Sequence, residues 1–148
     1  MAANSNPKFT KNGRVSSVLV TALNASSQGG GTVGTDIFLA FTSDATNGSF
    51  VERVRLIPTA TTPTTTTATV ARVFVSTIAS GATTSANTYL VAEITLPAIA
   101  ADNASTAVIP FDISLGFALP ASGTILVTNH AAPAANTAWR AVVIGGDY

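Results

Sequence analysis

Apolar residues recur at every second position in several short runs of this chain, and each run is bounded by glycine, proline, asparagine or a cluster of hydroxyls. A period of two sends alternate side chains to opposite faces of an extended strand, whereas a helix needs spacings of three and four. Eight such segments are legible: residues 14–22, 33–41, 50–58, 68–78, 88–96, 105–113, 123–129 and 138–144. Valine, isoleucine and threonine dominate them, and these β-branched residues fit a pleated, half-buried surface. With no helical pattern between the segments, the chain is expected to be all-β: an antiparallel β-sandwich of about eight strands, jelly-roll-like in its preferred form. No fixed-period repeat points to a solenoid or propeller.

The faces of some strands can be assigned. In the third segment Val54 and Leu56 share the inward face with Phe50 and Glu52, and Val51, Arg53, Arg55 and Ile57 point outward. In the fourth, Ala71, Val73 and Val75 oppose Arg72 and Phe74. In the last, Trp139, Ala141 and Val143 oppose Arg140, Val142 and Ile144. An apolar strand on both faces predicts burial on both, by the opposite sheet and by a neighbouring subunit.

The threonine-rich stretch IPTATTPTTTTATVARVFV, residues 57–75, could be a linker between two domains. Its flanks argue against that. VERVRLI and ARVFVS are each too short to form a core alone, and an isolated hairpin is marginal in water. Residues 58–63 therefore read as a connection between two strands, with Pro63, which has no N–H for a ladder, on its loop side. The expected layout is an extended N-terminal arm over residues 1–13 and one sandwich domain over residues 14–148.

Composition changes the picture in one respect. At 148 residues and 47% hydrophobic the chain can bury a core, but only 9% of it is charged. Its polarity comes from 23 threonines and 13 serines. Such a surface offers little like-charge repulsion and suits a protein that lives packed against neighbours. The formal net charge of +0 argues against a nucleic-acid partner, which would call for a basic face. Lys8, Lys11 and Arg14 form the one basic cluster and read as a solvated or subunit-contacting arm. No secretory h-region or bilayer-long apolar run is present in the sequence, so synthesis in a cytoplasm and no membrane partner are expected.

Candidate chemistry is sparse. With no cysteine, thiolate nucleophiles, thiolate metal sites and disulfides are excluded. The single histidine, His130, sits in TNHAAPAANT with no nucleophile elbow in the chain, and reads as an exposed or interface residue. The carboxylates match no calcium-loop or zinc spacing, and Asp102-Asn103 reads as a turn. Asp36 is expected to pair with one of Arg53, Arg55, Arg72 and Arg140 across strands or subunits. SSQGGGTVGT lacks the Lys-Ser/Thr of a phosphate loop and reads as a turn. No enzymatic activity, cofactor or metal is expected.

The sequence resembles a family of small virion proteins of tailed bacteriophages. The resemblance rests on the MAANSNPKF start, GSFVERVRLIPTATT at residues 48–62, VARVFV at 70–75 and the terminal VIGGDY, and it covers most of the chain. It implies a structural role with no catalytic residue to carry over, and a station on the virion. The function expected is that of a capsid decoration, or cement, protein on the head surface at capsomer junctions. Its partners would be the major capsid protein and further copies of itself, a homotrimer being favoured. A tail or fibre component, and a carbohydrate-binding adsorption module using Trp139 or Tyr89, are the alternatives. Candidate capsid or subunit contacts are Pro7, Lys8, Phe9, Lys11, Arg14, Arg140, Asp147 and Tyr148.

Overall fold

The computed structural model describes residues 10–101 and 107–148. Pro7, Lys8, Phe9 and Asp102-Asn103 therefore lie outside the described residues. The protein is all-β among them: β1 (Asn12–Val20), β2 (Gly31–Val33), β3 (Phe38–Thr42), β4 (Ser49–Ala60), β5 (Thr64–Thr65), β6 (Thr69–Ser76), β7 (Gly81–Thr83), β8 (Thr88–Leu96), β9 (Ala100–Ala101), β10 (Phe111–Leu119), β11 (Thr124–Asn129) and β12 (Thr137–Asp147). Eight long strands form two antiparallel four-stranded sheets, β1-β12-β4-β10 and β3-β11-β6-β8. The short strands form two ribbons, β2-β7 and β5-β9.

The two sheets pack as a sandwich. Val54, Leu56, Ile113, Trp139, Ala141 and Val143 from the first meet Phe41, Ala71, Val73, Ile125 and Val127 from the second in one buried cluster. The pairing has a simple logic. β6 pairs with β8, β4 with β10, β3 with β11 and β1 with β12, each antiparallel, as the rungs of one long hairpin. That hairpin closes on itself where β12 meets β4 and β11 meets β6. Counted among the eight long strands alone, the sheet orders are therefore first-eighth-third-sixth and second-seventh-fourth-fifth.

Most expected segments coincide with long strands, with four differences. The segment expected over residues 33–41 is two strands. Gly34, at φ 87, turns the chain, and the carbonyl of Thr32 accepts from the amides of Thr35, Asp36 and Ile37. Asp36 pairs with none of the four arginines within the chain; its Oδ1 accepts from the Thr32 amide at 2.6 Å and closes the turn. Of the segment expected over residues 105–113, residues 105 and 106 lie outside the described residues, and the strand described there starts at Phe111 and runs to Leu119. The inward alternation in it is Phe111, Ile113, Leu115, Phe117 and Leu119.

Pro58 lies within β4, opposite Trp139, rather than in a loop. The β10 ladder ends at Leu56, so β4 is one-sided at Pro58, where a residue without an N–H disturbs least. Thr64 and Thr65, which follow, form β5 and lead into β6, so strands run through the stretch. β1 begins at Asn12, two residues before the expected domain start, and Lys11 already donates its amide to the Asp147 carbonyl.

One face assignment also changes. Val54 and Leu56 are inward as expected, but Val51 is fully buried too and Glu52 is exposed. A bulge leaves Glu52 unopposed, since β12 pairs Ile144 with Arg53 and then Gly145 with Val51. One extra residue reverses the alternation on one side of it.

Candidate interaction surface

The outer faces of the two sheets differ. On the β3-β11-β6-β8 sheet, Phe74 and Leu126 point away from the main core. They are covered by Ile37, and Val33 and Leu39 pack against them. The turn and ribbon around β2 thus form a lid on that face. The β1-β12-β4-β10 sheet has no comparable outer cluster among the described residues. Its register sets Val15, Ile144, Arg53 and Ser114 in one row, Ser17, Val142, Arg55 and Asp112 in the next, and Leu19, Arg140 and Ile57 in the third. Val15 is 70% exposed and Leu19 38%, while Ile57, Val142 and Ile144 are half-buried. Apolar side chains at these positions match the two-faced pattern of β4 and β12.

Charges on this face are organised around one carboxylate. Asp112 accepts from Arg55 Nε at 2.7 Å and from Arg55 Nη2 at 2.8 Å, a two-point grip. Arg53 approaches the same carboxylate at 3.7 Å and Glu52 at 3.1 Å. The Arg55 hydrogen bond pulls the Asp112 carboxyl below its ordinary range against a small burial cost, with the Arg55 and Arg53 charges helping. Asp112 in turn raises Arg55. Arg140 is different: its nearest polar partner is the Ser17 hydroxyl at 3.4 Å, and it has no carboxylate partner among the described residues. It borders an open groove of about 390 Å³ together with Leu19, Thr21, Thr59, Thr61 and Asn136.

Four other expected contact residues gather at one rim. Arg14 Nη1 donates to Asp147 Oδ1 at 3.1 Å and to the Thr42 carbonyl at 3.0 Å, and its guanidinium carbon lies 4.7 Å from the centre of the Phe41 ring. Ser49 donates to the same Asp147 carboxylate, Lys11 donates its amide to the Asp147 carbonyl, and the Tyr148 amide reaches the Gly48 carbonyl. Sequence reasoning named these residues as outward contacts. The structure places Arg14 and Asp147 in a clasp that ties the first strand to the last and to the loop before β4. Asp44 lies in that loop. Its carboxyl is lowered by the amides of Asn47 and Thr46, with the Arg14 charge a minor contribution.

Chemistry-bearing side chains also gather around His130 and along β8. His130 Nδ1 lies 3.3 Å from Arg72 Nη1, and Arg72, itself buried, donates to Glu93 at 3.2 Å. A guanidinium only donates, so the imidazole Nδ1 accepts there. Trp139 is 1% exposed and meets Phe111 edge-on at 5.9 Å, so it is a core residue. Tyr89 is 52% exposed on β8, followed by Leu90 and Val91, each 41% exposed. This apolar edge was not legible as such, because β8 reads like any other alternating strand and only the sheet order makes it terminal.

The depressed carboxylates give a pH prediction with a definite sign. A group whose folded pKa lies below its unfolded value, near 4, stabilises the fold above that value and loses the contribution as pH falls through the folded value. Asp112 and Asp44 both act in this direction. The urea midpoint is expected to be lower at pH 3 than at pH 7, and Asp112→Asn is expected to shrink that difference. Equal shrinkage by Asp36→Asn would show that the Asp112 pair is not the source.

No family model, no curated protein and no solved structure matches this chain.

Proposed function

We propose that this chain is a non-enzymatic structural protein of a tailed-phage virion, and that it decorates the head at capsomer junctions. The observation that supports the reading best is the outer face of the β1-β12-β4-β10 sheet, which has no outer cluster among the described residues. It is half apolar, carries Arg140 without a carboxylate partner among the described residues, and belongs to a sandwich whose other face has its own lid. The sequence resemblance supplies the virion setting. The strand order, a long hairpin wound on itself, supports reading the sandwich as a jelly roll. The partners would be the major capsid protein and further copies of the chain, as a trimer, with no cofactor. The protein would be made in the host cytoplasm and end on the head surface.

Decoration works through many weak contacts acting together on one shell. The N-terminal arm would supply one of them. Because β1 starts at Asn12, deletion of residues 2–9 leaves β1 whole. That deletion is expected to weaken binding to undecorated heads while leaving the unfolding midpoint unchanged; undiminished binding would remove the arm as an anchor.

The direct test is the copy number in purified particles, measured by quantitative mass spectrometry against the major capsid protein. One copy per capsid subunit, or a symmetric fraction of that, is expected. A handful of copies would favour a tail or fibre station on the same fold. Absence from particles would overturn the virion reading. It would favour the adsorption-module alternative, for which exposed Tyr89, beside a hollow lined by Ser27, Gln28 and Ser85, is the relevant feature.

A further inference from the structure

The two four-stranded sheets end in four edge strands, β1, β10, β3 and β8, and three of these are capped or broken. β3 has five residues, and its Ala40 and Thr42 carbonyls accept from the Ser16 hydroxyl and from Arg14 Nη1 of β1. β8 is bulged at Val91, and β10 between Ser114 and Phe117, where Gly116 stands at φ 65. Such devices blunt an edge, whose open row of N–H and C=O groups otherwise recruits another strand. β1 has none of them. Its nine residues, NGRVSSVLV, include no proline or lysine. Each is opposed by one residue of β12, from Asn12 on Asp147 to Val20 on Trp139, without a shift. No described strand pairs with its far side. Its one charge, Arg14, is held by Asp147.

An open, regular edge takes a strand running alongside it, and β1 is complementary to a second copy of itself. Val15, Ser17 and Leu19 alternate on the outer face, and all three are exposed. They are placed symmetrically about Ser17. When two copies of β1 run antiparallel about a two-fold axis at Ser17, Val15 of each stands directly opposite Leu19 of the other. Directly opposed apolar pairs are what stabilises neighbouring strands. On the other side Ser16 meets Val18 and Arg14 meets Val20, so no like charges are opposed. Neighbouring registers lose the match. With the axis at Ser16, Leu19 would face Gly13 and Val15 would face Ser17. With the axis at Val18, Val15 would face Thr21 and Leu19 would face Ser17. Ile144, which lies beside Val15 on β12, extends the apolar row across the joint.

We propose that two copies of this chain pair through β1, antiparallel about Ser17, so that their outer sheets join into one sheet of eight strands. A contact between like patches closes at two copies. It covers Val15 and Leu19 and sets the two outer faces, each with its Arg140, on one side of the joined sheet. An edge contact is smaller than a standard interface, so the pair forms in a concentration-dependent equilibrium. The inference rests on β1 alone and not on the virion setting. Three copies around a capsomer junction would need a contact other than this one.

Val15→Glu and Leu19→Lys test the register. Each alone sets a charge against an apolar side chain, twice in every pair. Mixed in equal amounts, they set the new carboxylate against the new ammonium at one point and keep Leu19 against Val15 at the other. Both positions are exposed, so each variant is expected to keep the far-UV spectrum and unfolding midpoint of the parent. In sedimentation equilibrium the parent is expected to rise with concentration from the monomer mass to twice that mass. Each variant is expected to stay monomeric over the same range, and the mixture to regain the doubled mass. Ser17→Cys gives a second readout that introduces no charge. The chain has no cysteine of its own, and directly opposed residues of an antiparallel pair lie within disulfide reach. Oxidation is expected to link Ser17→Cys into a covalent pair faster than Ser114→Cys, an exposed control on β10. A parent that is monomeric at every concentration, variants that still associate, a mixture that stays monomeric, or equal linking rates for the two cysteine variants would overturn the pairing. A parent at three times the monomer mass would overturn it too, and would favour the trimer of the decoration reading. Copy number on particles decides that reading separately. A paired chain absent from particles would keep the pairing and end the decoration reading, and a monomeric chain abundant on particles would do the reverse.

Discussion

Trp139→Ala is expected to lower the unfolding free energy by about 3–5 kcal/mol, the range for removing a large aromatic from a core. Trp139 is 1% exposed and lies on β12, the strand that pairs with both β1 and β4. Its ring meets Phe111 edge-on at 5.9 Å and 71°. Truncation would therefore open a cavity at the centre of one sheet, where neither neighbouring strand can collapse without breaking its ladder. Trp139→Phe keeps most of the volume and is expected to cost less than half as much. The measurement is urea denaturation followed by circular dichroism, because the variants lack the only tryptophan. In the parent chain the same residue should emit at short wavelength when folded and shift to the red on unfolding. A loss below about 1 kcal/mol for Trp139→Ala would contradict its placement in the core. It would also return Trp139 to the list of residues that could stack on a sugar.

Trp139 was ambiguous in the sequence for a physical reason. The alternation of Trp139, Ala141 and Val143 against Arg140, Val142 and Ile144 shows two faces, and both are mostly apolar. Periodicity sorts side chains into sets but does not say which set faces the opposite sheet. For β12 the small Ala141 and large Trp139 fit the inner side, and Arg140 marks the outer. For β6 the ambiguity had a different source: Phe74 is as buried as Val73, yet it belongs to the small cluster under the lid around β2. A lid built from residues 31–37 is local turn chemistry laid over a distant strand, and nothing in β6 announces it.

The candidate surface was only partly legible. Arg140 was named from the sequence, and the structure leaves it facing outward without a carboxylate among the described residues. Arg14 and Asp147 were named as contacts as well, and they meet each other at 3.1 Å. Opposite charges 133 residues apart carry no local sign that they will pair. The β8 edge escaped notice because edge status depends on sheet order, which is a property of the whole winding. The bulge at Glu52 escaped for a related reason: a bulge is a mismatch between two strands, and neither strand shows it alone.

That bulge explains the terminal VIGGDY, and it leads to the second large expected effect. Gly145→Ala is expected to destabilise the fold by about 3 kcal/mol, at the upper end for inserting a methyl group into a packed site. Where Glu52 is skipped, the backbone of β4 presses on β12. A Cβ at Gly145 would stand 2.2 Å from the Phe50 carbonyl oxygen and 3.2 Å from the Val51 Cα. Both are main-chain atoms of a central strand, so no side chain can swing aside. Gly146 is constrained from the other flank, 2.8 Å from the Asn12 carbonyl oxygen and 2.8 Å from the Thr10 Cβ. The paired glycines thus let the last strand pass between the first strand and the bulged one, and carry Asp147 to Arg14. Gly13→Ala is the matched control: its Cβ would meet none of the described residues within 4 Å, and its stability should stay within about 0.5 kcal/mol of the parent. Denaturant midpoints for the two alanine variants decide the matter. If Gly145→Ala were as well tolerated as Gly13→Ala, the close approach at the bulge would be wrong, and the terminal glycines would need a reason other than packing, such as contact with a neighbouring copy.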